Sequence, residues 1–196
     1  MPPRSPNMLI ISCHADTNFT HHELTRERDG YLGHLDNFAG VHAVMRAYFS
    51  GRMTGDQTRL ALTDHEETTF AGAYELRDQI RPTDLVVVVD VTGIIGDWDF
   101  TIEKCADPVT RQFVSQALRG FRYRLFEDSP DPIADSDEVD VYREKCPHTF
   151  FLGIPCSGGD YNHEKVFCKE TSIQAAADAI VAVCEAYPKF EALQVK

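Results

Sequence analysis

Seven residues, Leu85–Val91, read LVVVVDV. An unbroken β-branched run suits a strand covered on both faces, because a strand with one wet face alternates apolar and polar residues. A strand covered twice needs a layer of helices above it and another below. The rest of the chain supplies the parts. Met8–Cys13, Arg59–Thr63, Tyr123–Glu127 and Thr149–Ile154 read as further strands. Asn37–Phe49 carries Phe38, Val41, Val44, Met45 and Tyr48 at helical spacing. Glu66–Ile80 reads as a helix with Phe70, Ala73, Tyr74 and Ile80 on one side. Asp107–Leu118 has Pro108 in its first turn, and Thr171–Tyr187 has a stripe of Ile173, Ala177, Ile180 and Cys184. The alternation predicts an α/β three-layer sandwich with a mixed, mostly parallel sheet, and one domain over residues 1–196. The acidic, Pro-containing stretch Glu127–Glu138 reads as a solvated loop.

Charge narrows the partners. There are 19 basic and 31 acidic residues, a formal net charge of −12. Such a chain repels phosphate backbones, so nucleic acid is not an expected partner. It suits a protein that gathers carboxylates around metal ions or attracts cationic substrates. No apolar run reaches the ~18 residues of a membrane span, and the N-terminal MPPRSPNMLIISCHAD does not read as a signal peptide. Six scattered cysteines form no C-x-x-C pair. They read as free thiols in a reducing compartment, so a cytoplasmic location is expected.

Acids and histidines recur where strands end. His14 and Asp16 follow the first strand, Asp36 precedes the first helix, and Glu66 and Glu67 follow the strand Arg59–Thr63. Asp90 closes LVVVVD, and His163 follows Thr149–Ile154. The carboxyl edge of an open α/β sheet is where ligands bind. Imidazole and carboxylate are ligands of zinc and similar ions. Of two adjacent acids, one can hold a metal while its neighbour stays free as a general base. An acid at position 36 can bridge two ions. Asp16 can accept the second N–H of His14 and fix its tautomer. The plain readings are a helix N-terminal charge preference for Glu66–Glu67, and surface or core positions for His21, His22, His34, His42, His65 and His148. Asp90, at the end of a buried strand, resists any plain reading, because a buried carboxylate needs a partner.

The segments CHAD (Cys13–Asp16), LDNFAG (Leu35–Gly40), HEETTFAGA (His65–Ala73), VVVDVTG (Val87–Gly93) and YNHE (Tyr161–Glu164) occur in this order. The set resembles the co-catalytic di-zinc exopeptidase superfamily, whose members include aminopeptidases, carboxypeptidases and deacylases. It looks most like the glutamyl-aminopeptidase and tetrahedral-aminopeptidase branch. The resemblance implies a zinc-exopeptidase-like (phosphorylase/hydrolase-like) fold and two divalent ions. Zinc is the default ion, and manganese and cobalt use the same ligand types. It implies that His14, Asp36 and Asp90 hold one ion, and that Asp36, Glu67 and His163 hold the other. Glu66 would be the general base, and Asp16 would orient His14. That branch inserts a domain between the H-x-D motif and the bridging acid, whereas here Asp36 follows His14 by 22 positions. A minimal, lidless chain is therefore expected, with a homo-oligomer covering what it lacks.

The implied substrate is a peptide or an acylated amino acid. An aminopeptidase would take the substrate ammonium on an acid such as Asp97, Asp99 or Asp160. A carboxypeptidase or N-acyl amino acid deacylase would grip a carboxylate with Arg122, Arg124 or Arg143. A non-catalytic metal-binding assembly subunit is the alternative of a different class.

Overall fold

The computed structural model describes residues 6–53, 55–133 and 136–194. In chain order the elements are β1 (Leu9–His14), β2 (Leu24–Arg26), β3 (Gly30–Gly33), α1 (Phe38–Phe49), β4 (Thr58–Thr63), α2 (Ala71–Gln79) and β5 (Leu85–Thr92). Then come β6 (Phe100–Glu103), α3 (Pro108–Ala117), β7 (Tyr123–Leu125), α4 (Glu138–Arg143), β8 (Thr149–Ser157), β9 (Val166–Lys169) and α5 (Glu170–Gln194).

All the strands join one sheet in the order β2-β3-β9-β8-β5-β1-β4, with β6 and β7 branching from β8. The central strands β4, β1, β5 and β8 are parallel to one another. The outer pairings β2–β3, β3–β9, β8–β9 and β6–β8 are antiparallel. The mixed α/β sandwich is as expected, with its parallel part at the centre.

β5 is buried along its whole length. Its Leu85, Val87, Val89 and Val91 pack with α1, α3 and α5. Val86 and Val88 pack on the opposite face with α2 and α4. That division by alternate residues is what a strand between two helical layers requires. α1 starts at its Asn37 cap and α3 at Asp107, whose carboxylate accepts from the Thr110 N–H at 2.8 Å. α5 runs past its expected end at Tyr187, through Pro188, because Phe190 beyond it is fully buried.

Three expectations need correction. Glu66–Ile80 is not one helix: residues Glu66–Thr69 form a turn and α2 begins at Ala71. Tyr74 is 41% exposed and does not share the buried stripe. The stretch Glu127–Glu138 is not simply solvated, since Asp131, Asp137 and Glu138 are buried. No helix among the described residues is long and apolar enough to cross a membrane. All six cysteines are unpaired and buried.

Candidate metal centre

Parity and register bring His14 to Asp90. On β1, Leu9, Ile11 and Cys13 face the α1–α3–α5 layer and Ile10 faces the other. His14, four residues after Ile10, shares that second face. On β5, Asp90 shares it with Val86 and Val88. Ser12 pairs with Val88, so two residues further the chain sets His14 beside Asp90. His14 Nε2 lies 3.1 Å from Asp90 Oδ2 and 3.3 Å from Asp36 Oδ1. On the other side of the ring, Asp16 Oδ1 stands 3.4 Å from Nδ1.

Asp36 is placed by its neighbour. Asn37 accepts from the Gly40 N–H through Oδ1 at 3.0 Å, and its Nδ2 donates to the Val89 carbonyl at 2.9 Å. One amide thus starts α1 and ties it to β5 next to Asp90. The Asp36–Asn37 peptide is cis.

Glu66 and Glu67 sit on the turn after β4. Its limits, His65 and Phe70, have φ of 57° and 56°. The His65 carbonyl accepts from the Thr69 N–H at 3.0 Å and the Phe70 N–H at 2.6 Å. Asp16 Oδ1 accepts from the Glu66 N–H at 3.2 Å. Asp16 therefore contacts both the His14 imidazole and the base of this turn. Because the pair lies before α2, a helix-terminus charge preference does not account for it.

His14, Asp36 and Glu67 each offer a ligand atom, all within 4.8 Å of one another. His14 Nδ1, Asp36 Oδ1 and Glu67 Oε1 are buried without a hydrogen-bond partner. Buried carboxylate oxygens with no donor are costly, and a cation at their centre removes the cost. One imidazole among carboxylates is a donor set for zinc or a related divalent ion. The residues present therefore fit such an ion.

The proton affinities carry the same message. Burial, then repulsion from Asp90, pushes Glu66 up to about 9. Burial, then Asp36, pushes Glu67 up to about 7. Asp90 is pushed up to about 7, chiefly by burial, against the pull of His14. His14 is raised well above the usual range: burial opposes its charge, and Asp90, Asp16 and Asp36 overcome that opposition. Asp16 ends below the usual carboxylate range because His14 and the Glu66 N–H outweigh its desolvation. Five acids crowd one imidazole with too little positive charge for them all.

His163 is the expected ligand that lies apart. It lines the same cavity, but its side chain is 72% exposed and its Nδ1 sits 3.1 Å from Asp160 Oδ2. The loop is closed on itself, with the His163 N–H on the Asp160 carbonyl and Glu164 accepting from the Asp160 N–H.

The cavity over these residues holds about 280 Å³. Asn18, Asp36, Glu66, Glu67, Thr68 and Asp90 line one part. Sequence reasoning missed its other walls. Val91, Ile133 and Tyr161 come from the α1–α3–α5 side of the core, and Phe70 and Phe151 from the other. Asp137 also lines it, held by Lys104 at 3.1 Å. The only sequence signal in that region was acidity with two prolines, which says nothing about burial.

Other candidates fall outside. Asp97 pairs with Arg122 at 2.5 Å, Arg124 lies over the Phe126 ring, and Arg143 donates to the Lys104 carbonyl. Neither they nor Asp99 line the cavity, and Asp160 faces His163. His34 stacks on Phe19 and His65 pairs with Asp64. The Cys13 thiol, raised by burial, accepts from Asn37 Nδ2. Cys156 is also raised, first by the neighbouring Cys168 thiol. Neither is poised as a thiolate ligand.

No protein-family profile matches this sequence, and no curated protein does. Solved structures do. The aminopeptidase APDkam598 from the archaeon Desulfurococcus kamchatkensis superposes with a TM-score of 0.69 at 15% identity, covering 84% of this chain and 51% of that one. A TET aminopeptidase from a marine-sediment Thaumarchaeota archaeon gives 0.66 at 13% identity, covering 86% and 54%. The dodecamer PhTET1-12s gives 0.65 at 15%, covering 82% and 53%. The chain thus spans about half the length of each. It has the α/β fold of these structures, two of which are aminopeptidases.

Proposed function

We propose that the chain is a di-metal amide hydrolase acting as an aminopeptidase. His14, Asp36, Glu67, Asp90 and His163 would hold two divalent ions, zinc by default and manganese or cobalt by availability, with Asp36 shared between them. Bound there, the ions supply Lewis acidity towards a carbonyl and make water a stronger acid. The chain's own residues do the rest. Glu66, half enclosed at the cavity wall and not needed as a ligand, takes the proton of the attacking water and passes it to the leaving amine. Asp16 holds the His14 ring and the backbone of the Glu66 turn in one relationship. His163 would swing from Asp160 to complete the second site.

The observation that carries the reading is the convergence of His14, Asp36 and Glu67 at the carboxyl edge of this sheet, with Asp36 Oδ1 and Glu67 Oε1 buried without a donor. The aminopeptidase is preferred to a carboxypeptidase or deacylase because, among the described residues, no lysine or arginine lines the cavity to grip a substrate carboxylate. The non-catalytic alternative leaves Glu66 without a role. We also propose a homo-oligomer: one neighbour is a dodecamer, and the edge strand β4 exposes Leu62.

The test uses the protein reconstituted with zinc, and separately with manganese and cobalt. It is offered aminoacyl chromogenic amides, their N-acetyl counterparts and peptides with a free C-terminal carboxylate. Cleavage of the free-amine amides alone supports the reading. Cleavage of the blocked ones alone moves it to the deacylases, and cleavage of none favours the non-catalytic alternative.

A further inference from the structure

Once the ligand and base carboxylates and His163 are set aside, the walls left are apolar at Phe70, Val91, Ile133, Phe151 and Tyr161 and polar but uncharged at Asn18, Thr68, Ser136 and Asn162, with Asp137. Asp137 is not a free anion. Lys104 Nζ sits 3.1 Å from it and 2.6 Å from Asp140, and Asp137 also caps α4 by accepting from the Val139 N–H at 2.8 Å. Lys104 in turn is buried and committed to two acids. Among the described residues, neither a cationic nor an anionic substrate side chain finds an unpaired partner on these walls.

Two of the walls, Ile133 and Tyr161, sit on different loops and share one anchor. The Asp131 carboxylate accepts from the Gly93 N–H at 2.6 Å and the Thr92 hydroxyl at 3.1 Å, at the end of β5. It accepts from the Ile133 N–H at 3.0 Å within its own loop, and from the Tyr161 hydroxyl of another loop at 3.1 Å. Four donors on one buried carboxylate make a rigid joint, since removing any leaves a buried group unpaired. Gly93 makes room for the joint. A Cβ there would stand 3.0 Å from Asp131 Oδ1 and 3.2 Å from Ile133 Cδ1.

We propose that the site selects substrates with an uncharged residue beside the scissile bond, and that Asp131 is the positioning residue that fixes Ile133 and Tyr161 as walls for that side chain. This rests on the metal-site reading above. Asp131 touches neither the reacting atoms nor the ligand cluster. It acts through the two walls, tying the end of the Asp90 strand to the loop that carries His163.

The experiment is calorimetric binding of hydroxamates to the zinc-loaded protein, which does not depend on turnover. Acetohydroxamate reports the metal site without a side chain. Leucine, lysine and glutamate hydroxamates add three side-chain chemistries. The expected result is leucine hydroxamate at least tenfold tighter than the lysine and glutamate compounds. In Asp131→Asn, the ratio of leucine hydroxamate to acetohydroxamate affinity should fall about tenfold. Tyr161→Phe, which keeps the ring and loses one bond of the joint, should lower it in the same direction by less. Equal or tighter binding of a charged side chain, or an unchanged ratio in both variants, overturns the inference while the metal site stands. If acetohydroxamate fails to bind the zinc-loaded wild type, the metal-site reading itself fails and this inference falls with it.

Discussion

His14 Nε2 and Asp90 Oδ2 meet at 3.1 Å because β1 and β5 run parallel in matched register and the two residues share one face of the sheet. The contact follows from strand parity, and the other site residues are arranged around it. Asp36 reaches the same ring nitrogen from the start of α1, and Glu67, on the turn after β4, brings a ligand atom within 4.8 Å of theirs.

Glu66 and Glu67 have separable roles. Glu66→Gln should keep both ions and lose roughly 10²–10⁴-fold in turnover, the usual worth of a general base. Glu67→Gln should weaken one ion. Metal content and kcat, measured on the same samples, decide between them. If Glu66→Gln loses metal while Glu67→Gln does not, the roles are exchanged.

The metal-free chain should lose stability as pH rises. Folded Glu67 and Asp90 titrate near 7 and Glu66 near 9, while in the unfolded chain all three return towards ordinary carboxylate values. His14 is raised too. The folded state therefore holds protons that the unfolded state has released, and stability falls as pH climbs from about 4.5 through these values. Denaturant titration of the chelator-treated protein should show less stability at pH 8 than at pH 6, by more than about 1 kcal/mol. Saturating zinc should reverse the slope, because ions bind the deprotonated ligands. A flat profile without metal would contradict the crowding of acids.

The site was legible where the sequence placed chemistry against a strong periodic signal. LVVVVDV predicted a buried strand, and an acid at its end had nowhere to hide. The Glu66–Glu67 segment misled, because apolar spacing from Phe70 onwards reads as helix, and neither His65 nor Phe70 announces a left-handed backbone. β2, β3, β6 and β9 have three or four residues each, too short for periodicity, and α4 has only six. The burial of Asp131 was invisible because its four donors come from three separate stretches of chain. The outward setting of His163 depends on local loop hydrogen bonds that a motif does not encode.

Asn37 links the fold to the site. Asn37→Ala removes the α1 cap and leaves the Val89 carbonyl without its side-chain donor. A cap is worth ~1 kcal/mol and a buried unpaired carbonyl about 1–3 kcal/mol, so chemical denaturation should show a loss of roughly 2–4 kcal/mol. Divalent-ion affinity should fall with it, since Asp36 loses its neighbour's two anchors. Wild-type stability in this variant would mean that α1 is held in place by its packing alone.

The central claim is that one buried acid serves two ions. The most direct measurement is elemental analysis of the chain after chelation, reconstitution with zinc and removal of loosely bound metal, for the wild type beside Asp36→Ala. The account predicts up to two ions per wild-type chain and the loss of both in Asp36→Ala, whose far-ultraviolet circular dichroism stays that of the folded protein. Wild-type chain that retains no ion, or an Asp36→Ala variant that keeps its full complement, would contradict it.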